Sequence, residues 1–165
     1  FIYIDIASIE NGTGAISLSK KIKGIDAPDR AKRAAKSESL LISTVRPYLK
    51  GFAFIEKVFD NYVFSTGLAI LKSRNENFYP TRLLFYIFFY SEKLMSQLKA
   101  KMPKSGYPSV NEDDIASLLI PSSFQVEQQN LLKEIAAHET RWREAEAILA
   151  GAADKKRQIL LDGIK

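Results

Sequence analysis

The sequence predicts an α+β protein: a small mixed-sheet domain over residues 1–122, then one long coiled-coil-forming helix over 123–165. Three observations lead there. Short runs with apolar alternation, broken by turn residues, fill the first half. Between Ser123 and Ile164 there is no proline, and helix formers dominate. Within that stretch apolar positions recur about every 3.5 residues, the spacing of a left-handed coiled-coil seam.

Ile2, Ile4 and Ile6 alternate as a strand does, and Asn11-Gly-Thr-Gly14 supplies a turn. Ile16 and Leu18 alternate again and predict a second strand. Residues 30–36, rich in Arg, Lys and Ala, read as a short exposed helix or turn. Leu40–Val45 is apolar and β-branched, as a buried strand requires. It ends before Pro47, which cannot donate a ladder hydrogen bond. Gly51–Ile55 and Tyr62–Leu71 are two further strands, with Asp60-Asn61 as the turn between them.

Thr81–Leu98 has helical periodicity, with Leu84, Ile87, Phe88 and Met95 on its apolar face. Its aromatics Phe85, Tyr86, Phe88, Phe89 and Tyr90 read as core packing rather than base stacking. Asn111 or Ser109 is suited to cap a short helical turn, and Leu118–Ile120 reads as a last strand.

The final helix, from Ser123 to Leu161, would be about 58 Å long at ~1.5 Å per residue. Its seam runs through Leu131, Ile135, His138, Trp142, Ala145, Leu149, Ala152, Lys156 and Ile159. These residues are the predicted helix interface. Ala145 and Ala152 permit the close approach of an antiparallel partner. Gly151 weakens the helix by about 1 kcal/mol relative to Ala, and Lys156 places a charge on the seam.

The net charge is +5, a modest basic excess that favours a polyanionic partner without demanding one. Cysteine is absent, which excludes disulfides and thiolate metal sites, and His138 is the one histidine. No metal site and no cofactor are predicted. The longest greasy run, Leu83–Tyr90, is far short of the roughly 20 residues that span a bilayer. The start shows neither a leader nor an initiator Met, so the chain reads as a piece of a longer cytoplasmic protein.

Basic residues supply the candidate binding site. Lys20, Lys21, Lys23, Arg30, Lys32, Arg33 and Lys36 place seven positive charges within seventeen residues. They suit phosphate gripping, Lys as a point charge and Arg as a fork onto phosphate or guanine, or else form a solvated surface. Arg46 stands at a strand end before Pro47. It either touches nucleic acid or pairs with a carboxylate. Lys50 is a phosphate candidate. Lys101 and Lys104 lie with Lys99 in or beside a basic loop that also holds Gly106 and Tyr107.

Motifs for chemistry are missing. Gly12-Thr-Gly14 lacks the remainder of a phosphate loop, and Pro28-Asp29 has no Glu-x-Lys partner for a nuclease. Asn111-Glu-Asp-Asp114 lacks the spacing of a calcium loop. No adenine-methylation element is present, so no catalytic residue is predicted.

Several stretches resemble the specificity subunits of type I restriction–modification systems. They are Tyr3-Ile-Asp-Ile-Ala-Ser-Ile, Ala27-Pro-Asp-Arg-Ala, Leu41-Ile-Ser-Thr-Val-Arg-Pro-Tyr-Leu-Lys, Val63-Phe-Ser-Thr-Gly-Leu-Ala-Ile-Leu and Tyr107-Pro-Ser-Val-Asn-Glu-Asp-Asp-Ile. Ile120-Pro and Glu127-Gln128 complete the set. The resemblance covers nearly the whole chain. It implies half of such a subunit: one target-recognition domain for double-stranded DNA and one conserved-region helix. That helix would pack on a second half or a second copy and dock methyltransferase subunits. Methylation and cleavage would then belong to partners. Ile120-Pro-Ser-Ser departs from the family's proline-rich lead into the helix. A specificity domain fused to the end of a methyltransferase, or a helix-mediated interaction module, would share these features.

Overall fold

The computed structural model describes residues 1–18, 20–103, 105–120 and 128–163, apart from the side chains at 153, 154 and 163. The chain divides into two compact units, Phe1–Ser123 and Phe124–Lys165. The predicted boundary at 122/123 and the predicted helix start at Ser123 lie outside the described residues.

The first unit holds two three-stranded sheets rather than one. Strands β1 (Ile2–Ile4), β2 (Ala31–Arg33) and β5 (Tyr62–Ser65) form a mixed sheet in the order β1-β5-β2. β1 runs parallel to β5, with Tyr3 opposite Val63, and β2 runs antiparallel to it with an irregular step between Ala31 and Arg33. Strands β3 (Ser39–Ser43), β4 (Phe52–Ile55) and β6 (Leu68–Leu71) form an antiparallel sheet in the order β4-β3-β6. β3 is its centre, and every one of its five residues is buried, as its unbroken apolar run requires.

Residues 62–71 are therefore two strands in two sheets, not the single predicted strand. The break is at Thr66-Gly67. The Gly67 N–H donates to the Ser65 hydroxyl at 3.1 Å, and the Thr44 N–H and hydroxyl donate to the Gly67 carbonyl at 3.0 and 2.9 Å. A Cβ on Gly67 would lie 2.8 Å from Ile6 Cδ1, so a side chain there requires Ile6 to shift. Ile4 and Phe64 of one sheet meet Leu41, Ala53, Ile55 and Leu68 of the other in one core cluster. Truncating one such side chain to Ala costs about 2–5 kcal/mol.

Other expectations are also corrected. Arg30–Lys36 is not a helix: Ala31 and Arg33 are half-buried while Lys32 is exposed, the two-residue alternation of a strand. Ile16 makes a single bridge to Ile9, and Leu18 is exposed, so no strand forms there.

The single predicted helix at 81–98 is two, α1 (Thr81–Tyr90) and α2 (Glu92–Lys101). Ser91 separates them. Its N–H bonds the Ile87 carbonyl, ending α1, and its hydroxyl accepts from the Leu94 N–H, capping α2. Tyr86, Phe88 and Phe89 are buried, and Phe88 meets Phe52 edge to face with centroids 5.8 Å apart, so this aromatic helix is core. Asn111 caps α3 (Glu112–Ala116) through a reciprocal pair with Asp114. Leu118–Ile120 forms no strand. The Gln97 side chain bonds both the N–H and the carbonyl of Leu119, at 2.9 and 3.0 Å, where a neighbouring strand would have done so.

The second unit is α4 (Gln128–Gly163), 36 residues long and about 54 Å at ~1.5 Å per residue. Trp142, Ile148, Leu149, Ile159, Leu160 and Leu161 are all exposed on it. Among the described residues, no helix is long and apolar enough to cross a membrane.

Candidate nucleic-acid interface

The predicted cations fall into local groups. In the first, Asp5 ends β1 and caps the turn Ile6–Ser8, accepting from the Ser8 N–H and hydroxyl. Lys20 donates to its free oxygen at 2.6 Å and lies 5.0 Å from the centre of the Tyr3 ring. Burial pushes the Asp5 carboxyl up, but the Lys20 and Ser8 hydrogen bonds and the Lys20 charge outweigh this and hold it below the ordinary carboxylate value. Asp5, Tyr3, Asn11, Ser65 and Arg30 line an open cleft of about 470 Å³. Lys21 bridges Ile2 along the edge of β1, and Lys23 is exposed two residues on.

The second group surrounds a larger cleft of about 910 Å³. Lys32 and Arg33 reach it from β2, Lys36 from the link to β3, and Lys72 from the end of β6. Arg33 forms an ion pair with Glu112, the first residue of α3. Lys72 donates to the Ser37 carbonyl at 2.7 Å and lies 3.9 Å from the Glu38 carboxylate. Lys32 and Lys36 have no ion-pair partner among the described residues. Sequence reasoning missed Lys72, a lone lysine after an apolar strand. Only the pairing of β6 with β3, Leu71 opposite Leu40, brings it beside the basic segment.

A single strand joins the two clefts. Arg30, just before β2, lines the first, whereas Lys32 and Arg33, within it, line the second. The strand seen in place of the predicted short helix or turn is what distributes these charges.

The third group is the turn 46–50. Arg46 and Lys50 both adopt left-handed backbone, at φ 47° and 55°, on either side of a 3-10 turn at Pro47–Leu49. The Arg46 N–H bonds the Pro108 carbonyl at 2.7 Å, and Pro47 is buried, which holds the turn. The Lys50 ammonium lies 5.7 Å from the centre of the Phe89 ring. Arg46 is exposed and pairs with no carboxylate among the described residues. Lys101 closes α2, which packs against this turn. Lys104 lies outside the described residues.

On α4 the predicted interface residues differ in exposure. Leu131, Ile135 and Ala152 are half-buried, and His138, Trp142, Ala145, Leu149 and Ile159 are exposed. No cluster of three or more His, Asp or Glu suited to a metal occurs among the described residues.

No family model matches the chain. It is 29% identical over 108 residues to the type I restriction enzyme HindI specificity subunit of Haemophilus influenzae, matching 65% of this chain and 23% of that protein. The crystal structure of the HsdS subunit from Thermoanaerobacter tengcongensis matches 96% of this chain with a TM-score of 0.70 and 30% identity. In sequence and in fold this chain is similar to type I specificity subunits. A second solved chain, from work on complex assembly and conformational transition of the type I R-M system, covers 99% of it with a TM-score of 0.72 and 31% identity. As a specificity-subunit relative the chain is short. It spans 40% and 42% of those two solved chains, so it corresponds to less than half of either. The α+β architecture with a long C-terminal helix is shared with them.

Proposed function

We propose that the chain reads double-stranded DNA as a target-recognition half of a type I specificity subunit and performs no chemistry itself. The carrying observation is that Arg30, Lys32, Arg33 and Lys36 lie just before, within and just after β2 and line two clefts joined by that strand. A row of cations on rigid backbone is suited to phosphate positioning, with nearby polar side chains left to read base edges. Lys20, Lys21, Lys23, Arg46, Lys50 and Lys101 extend the proposed surface. In this reading the protein works in the cytoplasm and directs methyltransferase and endonuclease subunits that supply catalysis.

The exposed Trp142 and Leu149 support a docking role for α4, on a second half, a second copy or a methyltransferase subunit. Titration of the chain with duplex DNA across a salt series tests the DNA reading. Log affinity is expected to fall with log salt by about 0.9 per phosphate neutralised. A flat response contradicts the proposal. If duplex binding is absent while a methyltransferase subunit is still captured through α4, the helix-mediated interaction module is the better account.

A further inference from the structure

We infer that Glu112 is an internal competitor for phosphate, occupying Arg33 until a phosphodiester of the duplex takes its place. This rests on the DNA reading above. Lys32, Arg33, Lys36 and Lys72 share one cleft, and among these four only Arg33 is ion-paired to a carboxylate that itself lines the cleft. Lys72 is held on the Ser37 carbonyl with Glu38 at 3.9 Å. Glu112 comes from α3, 79 residues further along the chain, and it is the one carboxylate among the residues lining the cleft.

The exposure of the pair favours exchange. The Glu112 side chain is 59% exposed and the Arg33 side chain 29%, so the carboxylate stands on the wet side of the guanidinium. An incoming anion meets the carboxylate first, and the freed Glu112 regains water with little desolvation cost. A phosphate presents to arginine the same two-oxygen edge that a carboxylate does. Glu112 is dispensable for its helix, because the α3 cap is made by Asn111 and Asp114. The consequence is a graded affinity: non-specific duplex, which fits the cleft poorly, has to displace Glu112, and a well-seated site does so readily.

The test uses the whole chain and a 20-base-pair duplex of random sequence, followed by fluorescence anisotropy over a salt series. Glu112→Gln keeps the side-chain size and removes the charge. It is expected to tighten binding about three- to tenfold at low salt and to steepen the salt slope by about 0.9, one further phosphate. Arg33→Gln in that background should remove the gain. Lys36→Gln, which leaves the ion pair intact, should weaken binding and flatten the slope by a similar amount. Equal or weaker binding by Glu112→Gln, with wild type still binding, overturns the competitor role and leaves the DNA reading standing. The same holds for an unchanged slope in Lys36→Gln. Wild type without duplex affinity overturns the DNA reading, and the competitor role with it.

Discussion

Lys20 donates a 2.6 Å hydrogen bond to Asp5 from fifteen residues away, and so ties the first basic cluster to the end of β1. The pair makes the fold pH-sensitive at the acid end. Asp5 binds its proton less readily in the folded state than in the unfolded chain. Its stabilising contribution is therefore complete above about pH 3.8 and is lost as pH falls through its lowered folded-state value. Asp5→Asn keeps a capping side chain but removes the charge. Denaturant midpoints between pH 2 and 6 should vary less with pH in Asp5→Asn than in wild type. Superimposable profiles would show that the pair adds nothing to acid stability.

Arg46 and Lys50 offer a second test. Left-handed backbone costs a non-glycine residue about 1–2 kcal/mol, partly offset in a Gly variant by extra freedom of the unfolded chain. Arg46→Gly, whose side chain is exposed, is expected to raise stability by about 0.5–1 kcal/mol. Lys50→Gly should gain less, because it also forfeits the Phe89 contact, worth about 0.5–1 kcal/mol. Thermal melts give the order directly. A larger gain at Lys50 refutes it. If Arg46 also holds phosphate, its Gly variant binds duplex more weakly while melting higher.

Gly67→Ala should be destabilising. Its Cβ position is already blocked by Ile6, and forcing a methyl group into such a site costs about 1–3 kcal/mol. Gly24 has nothing within 4 Å of its Cβ position and serves as the control. Chemical denaturation of Gly67→Ala and Gly24→Ala should separate by at least about 1 kcal/mol. Equal midpoints would mean that Ile6 simply moves aside.

On α4, Trp142 and Leu149 are expected to anchor a helix partner. The double variant Trp142→Ala, Leu149→Ala should weaken association by at least about 2 kcal/mol, roughly thirtyfold in dissociation constant. Sedimentation equilibrium across a concentration series reads this. Gly151→Ala should act in the other direction, adding about 1 kcal/mol of helix stability, since nothing lies within 4 Å of that position. An unchanged oligomeric state in the double variant would remove these residues from any self-association.

The buried strand predicted at 40–45 and seen as β3 (Ser39–Ser43), the long helix and the aromatic core of α1 were legible because each carries a pattern that one environment satisfies. Residues 62–71 misled because strand formers flank the Thr66-Gly67 break on both sides. At the change of sheet the Gly67 carbonyl is held by Thr44, a tertiary contact that the local pattern does not show. β2 was hidden for a related reason: Ala31-Lys32-Arg33 has weak strand propensity and is held by pairing with β5. The cations themselves could be named from composition. Their grouping could not, because Lys72 and Glu112 reach the basic segment only through β6 and α3.

The passage from β5 to β6 has a mechanical consequence. Ten successive residues thread through the centre of one sheet and the margin of the other, with a two-residue elbow locked by Thr44. The two sheets are expected to melt together, because losing either one pulls on its continuation in the other. Amide protons of Phe64 and Ala69 should exchange with solvent only through the same cooperative opening. A domain wired in this way can have its outer loops rewritten while its spine opens and closes as one piece.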